Sequence, residues 1–183
     1  MKKLISLSAL LFVSIMQSCA AQGFVLTSPD IQGQLSDEQV FNGFGCSGKN
    51  ISPRLAWKNA PEATKSFALT VYDPDAPTGS GWWHWLIFDI PVSINHLDKG
   101  AGGGENSKAP KGSIQTITSF GQSGFGGACP PQGDKSHRYI FTVYALKVDK
   151  LGLDEKAGPA LVGYYLNANQ LAKASIMAYY GRN

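Results

Sequence analysis

Glycine and proline punctuate this sequence so densely that a helical bundle is hard to build from it. They occur 21 and 10 times among 183 residues, with no fixed period, which also sets aside a fibrous chain. Between them lie short runs rich in β-branched and aromatic residues, the composition that strands favour. An apolar fraction of 43% provides a core and excludes a disordered chain. The length suffices for one domain and is too short for two large ones. The expectation is a loop-rich, mainly β fold.

The first residues read differently. Lys2 and Lys3 precede an apolar stretch over 4–16, followed by Ser18, Cys19, Ala20 and Ala21. As a helix this stretch would reach only about 20 Å, short of a ~30 Å hydrocarbon core. A basic start, a short apolar run and small residues after it describe an export signal. Residues 1–20 are therefore expected to be removed after Ala20, leaving 21–183 as a periplasmic or secreted domain. Lipid attachment at Cys19 is the minor alternative, since Met16-Gln17-Ser18 is a poor match to a bacterial lipoprotein signal. No other segment is long and apolar enough to cross a bilayer.

Cleavage would leave 14 basic residues against 13 acidic ones, a net charge of +1 in place of +3. No basic stripe with interleaved aromatics remains, which excludes nucleic acid as a partner. It would also leave two cysteines, Cys46 and Cys129, 83 positions apart. In an oxidising compartment such a pair is expected to form a disulfide. The alternative is two unrelated buried thiols.

The strongest strands are expected over 66–72, 83–90 and 138–146, with shorter ones over 24–28, 40–44 and 55–58 and an alternating one over 114–120. Residues 99–112, with five glycines, read as an exposed loop. Apolar positions at helical spacing behind Pro159 predict a helix over 159–171. The segment 174–180 either prolongs that helix or forms a last strand, and its pattern leans towards strand.

Three segments concentrate chemistry, each at a strand end: Asp73-Pro74-Asp75-Ala76-Pro77, Trp82-Trp83-His84-Trp85, and Cys129-Pro130-Pro131-Gln132-Gly133-Asp134-Lys135-Ser136-His137-Arg138-Tyr139. Proline fixes φ and restrains its predecessor, so Asp73 and Asp75 are held in defined directions. Taken singly, the two Asp read as turn caps and His84 as a buried core residue. Lys135 and Arg138 read as surface charges, and Trp82, Trp83 and Trp85 mainly as packing. His96 lies in a loop and looks incidental.

Together, and in this order, the segments resemble the phosphatidylethanolamine-binding proteins, also called Raf kinase inhibitor-like proteins. The resemblance runs from about Phe24 to the C-terminus. Phe44-Gly45-Cys46, Asn50-Ile51-Ser52-Pro53, Thr78-Gly79-Ser80-Gly81-Trp82-Trp83 and Gly126-Gly127-Ala128-Cys129-Pro130-Pro131 are similar to the bacterial exported branch. It implies a large antiparallel sheet packed on a smaller one, with peripheral helices including one near the C-terminus. It also implies a small anion-binding pocket at strand ends, where Asp73, His84, Pro131, His137 and Tyr139 match pocket positions. Asp75 matches the motif's second carboxylate, which serves the pocket's architecture more than ligand contact. Cys129, if bridged to Cys46, would fix one rim. Tyr179 and Tyr180 are candidates for a C-terminal pocket tyrosine.

The residue chemistry suits such a pocket. His84 and His137 can donate to phosphate or carboxylate oxygens, Tyr139 adds a hydroxyl, and Gly124, Gly126 and Gly127 would let backbone N–H groups approach an anion. Asp73 would orient an imidazole and favour its charged form, or take a proton from a monoanionic phosphate. Either role predicts tighter binding under mildly acidic conditions. The expected ligand is a small anion or phosphorylated head group, with an unknown protein partner or a homodimer as further possibilities. No cofactor or metal is expected, since neither His-Glu-x-x-His nor Cys-x-x-Cys spacing occurs. Gly121-Gln122-Ser123-Gly124-Phe125 fails the nucleophile-elbow pattern at its last position. A non-enzymatic binder is therefore the first expectation. A protein-interaction module is the second and a hydrolase using Asp73 with a His the third. Kinase inhibition is not carried over, since an exported bacterial-type protein would not ordinarily meet such kinases.

Overall fold

The three long apolar runs become the centre of an antiparallel sheet. In a computed structural model that describes residues 23–103 and 107–182, the elements are β1 (Val25–Thr27), β2 (Asn42–Gly43), β3 (Cys46–Ser47), β4 (Leu55–Lys58), β5 (Ser66–Asp73), β6 (Trp82–Pro91), β7 (His96–Leu97), β8 (Ile114–Gln115), β9 (His137–Leu146), α1 (Pro159–Asn169) and β10 (Gln170–Tyr180). The large sheet runs β10-β9-β5-β6-β8, a smaller one runs β1-β4-β7, and β2 pairs with β3 as a hairpin. The expected export signal lies outside the described residues.

Strand alternation explains why the large sheet sits in the middle. On one face Phe67, Leu69 and Val71 of β5 join Phe141, Val143 and Ala145 of β9 and pack against Leu26, Leu55 and Trp57 of the smaller sheet. On the other, Ala68, Leu86, Phe88 and Leu146 meet Val162 and Leu166 of α1. With both faces covered, β5 and β6 read as nearly continuous apolar runs. Each large side chain so buried contributes about 1.5–3 kcal/mol.

The segment 174–180 is strand, and the strand begins already at Gln170, where the backbone turns extended (φ −68°, ψ 136°). The helix thus stops at Asn169, two residues short of the expected end, because the ladder to β9 satisfies the backbone from Gln170 onwards. Three other expectations need correction. The strand over 40–44 shrinks to Asn42–Gly43, since Phe44 (φ 52°) and Gly45 (φ 80°) make a two-residue turn to Cys46. The strand over 114–120 pairs with β6 only at Ile114 and Gln115, after which Thr118 and Gln122 close a turn. The loop over 99–112 is not uniformly exposed. Ala101 is fully buried, and Gly102 lies so close to Phe125 that a Cβ would stand 2.4 Å from its Cβ.

Two irregularities in β6 matter below. Its register against β5 slips near Asp89, which has φ 57°, and again where Val71 faces Trp85 but Tyr72 faces Trp83. The second slip leaves His84 as an extra residue, a β-bulge. Away from the sheet, Cys46 and Cys129 form a disulfide with Cα atoms 6.0 Å apart. Among the described residues no helix is long and apolar enough to cross a membrane.

Candidate functional site

β5 ends where β6 and β9 begin, so one end of the large sheet gathers Asp73, His84, His137 and Tyr139. Asp73 is buried, and three donors converge on its carboxylate. Its Oδ1 accepts the backbone N–H groups of Asp75 (2.8 Å) and Ala76 (3.1 Å). Its Oδ2 accepts the Nδ1–H of His137 at 2.7 Å. Asp73 therefore both caps the turn through Pro74 and orients an imidazole. The Nε2 of His137 lies 3.4 Å from the carboxylate of Asp134, which is 43% exposed.

His84 reaches this site because of the bulge. Simple alternation would place it with Leu86 and Phe88 on the α1 face; the extra residue brings it instead to the side of Trp85, Tyr139 and His137. Its Nδ1 lies 2.7 Å from the carbonyl oxygen of Gly126. A carbonyl only accepts, so Nδ1 carries the hydrogen. The Nε2 is buried and meets no partner among the described residues. Burial pushes the imidazole down to about 4, against the pull of the Gly126 carbonyl and the Asp73 charge. Without a ligand this burial favours the neutral ring, whose Nε2 then carries a lone pair. Burial, with the negative charge of Asp73 behind it, pushes the Tyr139 phenol up, so its O–H stays protonated.

The cavity measures about 140 Å³ and is walled by Phe44, Ala76, Pro77, Thr78, Trp82, Phe120, Cys129, Pro130 and Pro131 around these polar groups. That is well below the ~300–1,000 Å³ of drug-sized pockets. Phe44 projects from the β2–β3 turn, 70% exposed, and its ring stacks on Phe120 at 5.9 Å and 9°. The disulfide ties this hairpin to Cys129 on the opposite rim. Arg182 braces the same corner by donating to the carbonyl oxygens of Gly45 (3.0 Å) and Pro130 (3.3 Å).

Of the matched positions, Asp73, His84, Pro131, His137 and Tyr139 line this one cavity. Asp75 does not line it. It grips Arg138 through both carboxylate oxygens and the backbone N–H, and the guanidinium holds its carboxyl down at about 2. The glycines do not offer N–H groups to the cavity either. Gly126 donates to the His84 carbonyl and Gly127 to Asn50 Oδ1. Both are needed for close packing, since a Cβ would lie 2.3 Å from the Phe120 ring at Gly126 and 2.2 Å from the Gln39 carbonyl at Gly127. Tyr179 and Tyr180 lie outside the cavity, with Tyr180 lining the neighbouring hollow beside Cys46 and Arg182. Of the tryptophans only Trp82 faces the cavity. Phe120 carries no signal in the sequence that would have placed it there.

Residues 31–181 match the protein family described as Phosphatidylethanolamine-binding protein. The chain belongs to that family. This phosphatidylethanolamine-binding-protein relative is 51% identical to the UPF0098 protein YbcL of Escherichia coli strain K12 over 182 residues, 98% of each chain. It is 50% identical to YbhB of the same organism over 147 residues, 80% of this chain and 92% of the other. The crystal structure of E. coli YbcL, described as a member of the mammalian PEBP family, superposes with a TM-score of 0.86 at 52% identity. That match covers 87% of this chain and 99% of the other. A Chlamydia trachomatis homologue aligns with a TM-score of 0.72 at 27% identity, over 87% of this chain and 98% of that one. The family's fold, with its large sheet packed on a smaller one, is the fold described above.

Proposed function

We propose that this member of the family is an exported, non-enzymatic binder of a small anionic or phosphorylated group. The observation that carries the reading is the convergence of Asp73, His84, His137 and Tyr139 on one apolar-walled cavity of about 140 Å³. Polar groups in such a setting interact more strongly than in water. The volume suits a phosphate or a head group and is too small for acyl chains.

The hydroxyl and sulfur groups of the cavity argue for binding over catalysis. Cys129 is in the disulfide, the Thr78 hydroxyl donates to the Gly81 carbonyl at 2.6 Å, and the Tyr139 phenol is pushed away from ionisation. None of these is paired with an activating base, as a nucleophile requires. The disulfide and the basic-apolar-small pattern of residues 1–20 support a periplasmic or secreted location.

Calorimetry with inorganic phosphate at pH 5.5 tests the reading. Binding is expected in the wild type and lost in His137→Ala, while ligand at 100 times its Kd should stabilise the protein by about 2.7 kcal/mol. Unchanged affinity in His137→Ala would place any anion elsewhere and overturn it.

A further inference from the structure

The Cys46–Cys129 bond stands between two hollows. Cys129 lines the cavity of about 140 Å³, while Cys46, with Gly45, Tyr180 and Arg182, lines a polar hollow of about 200 Å³ beside it. Both cysteines are half-buried, and among the described residues neither belongs to either core cluster. The hairpin that carries Cys46 has little else to hold its tip. Its ladder is only two pairs long, Asn42 with Ser47 and Gly43 with Cys46, and its turn sets Phe44 at φ 52°, a conformation unfavourable to a bulky residue. Besides the disulfide, the tip is tied to its surroundings by the Phe44 ring on Phe41 and Phe120 and by the Arg182 bond to the Gly45 carbonyl.

We infer that this disulfide is a redox-operated wall: oxidised, it keeps the two hollows apart; reduced by a dithiol, it frees the 43–46 tip and joins them into one larger space. Redox state would then set how large a molecule the cavity takes, whatever that molecule is. The reductant is a protein dithiol of the Cys-x-x-Cys type. Its first thiol, having lost its proton to solvent, attacks the Cys46 sulfur from the hollow side and forms a mixed disulfide. The Cys129 sulfur leaves with the bonding electron pair and takes a proton from solvent. The second thiol of the reductant, likewise deprotonated, then displaces Cys46, which is protonated in turn, and the reductant ends as a disulfide. Arg182 selects the leaving group. Its Nη1 lies 3.6 Å from the Cys129 sulfur, and a guanidinium at that range favours the thiolate. The carbonyl oxygens of Gly43 and Phe44 lie 3.6 and 3.5 Å from the same sulfur and oppose that charge. They belong to the tip that is released, whereas Arg182 keeps its bond to Pro130 on the Cys129 side.

Reduction of the intact protein with dithiothreitol, followed by amide NMR, tests the wall. Shift changes are expected to concentrate at 42–48, 128–131 and 180–182, with backbone order falling at 43–46, while β5, β6 and β9 keep their signals and reoxidation restores the spectrum. The soluble nitroxide TEMPOL is expected to broaden the Trp82 and Tyr139 signals at least about twofold more in the reduced protein, as local opening exposes the cavity. Glutathione, a single thiol, traps the mixed disulfide, and peptide mass should find it on Cys46 over Cys129 by at least about tenfold. Unaltered signals at 43–46 in fully reduced protein, or unaltered TEMPOL broadening, would show the wall standing without the bond and overturn the inference. Loss of signal dispersion throughout would make the bond a staple of the whole fold and overturn it equally. A mixed disulfide mainly on Cys129 would overturn the role of Arg182. None of these outcomes bears on whether the cavity binds an anion, which the phosphate calorimetry above decides separately.

Discussion

The floor of the cavity is built by strands and its rim by loops, and different chemistry fixes each. Asp73, His84, His137 and Tyr139 are almost fully buried; Asp73 pairs with Trp82 of β6, His137 and Tyr139 pair with β10, and each imidazole donates to a fixed acceptor. Phe44, Pro130 and Pro131 hang on short turns, and a covalent bond from Cys46 to Cys129 does the work that ladder bonds do below. A buried polar floor tolerates little change, because each group removed strands another. A covalently held rim tolerates exchange of its exposed side chains but depends on one bond.

Three measurements press on that contrast. The largest effect is expected at the rim. Cys46→Ala with Cys129→Ala opens a loop of 83 residues and should cost up to about 4–5 kcal/mol in denaturant unfolding. A loss below about 1 kcal/mol would show the hairpin held by packing alone. The next is at the floor. Asp73→Ala leaves two backbone N–H groups and the His137 ring without an acceptor, for an expected loss of about 3 kcal/mol; a near-neutral result would erase the distinction between the two regions. The smallest is Phe44→Asn. Asn accepts positive φ more readily than a bulky residue, so stability should rise by up to about 1 kcal/mol in the same assay. A marked destabilisation would mean that the stacked rings of Phe44 and Phe120 outweigh the backbone preference.

The strand assignments were most legible where both faces are buried. The runs at 66–72, 83–90 and 138–146 needed only a residue or two at their ends, because β-branched and aromatic density is a direct imprint of a covered sheet. Short elements were harder. The run at 114–120 alternates like a strand, but its ladder with β6 holds only at Ile114 and Gln115, beyond which single hydrogen bonds from Thr116 to Leu86 and from Ser119 to Trp83 replace it. In the site, the residues that gather were readable from three ordered motifs, whereas the direction of their hydrogens was not. That His84 donates inward to Gly126 follows from where the 124–128 segment lies across β6, which no local pattern records. The same segment uses its own N–H groups for packing, so its glycines signalled close approach of backbone to backbone and not to an anion.

The bulge in β6 implies that this pocket depends on counting as well as on chemistry. Removing Trp83 would restore the regular pleat and move the imidazole to the helical side. The cavity would lose its imidazole to the place that Trp83 now fills beside Tyr72, with Asp73, His137 and Tyr139 unchanged in sequence.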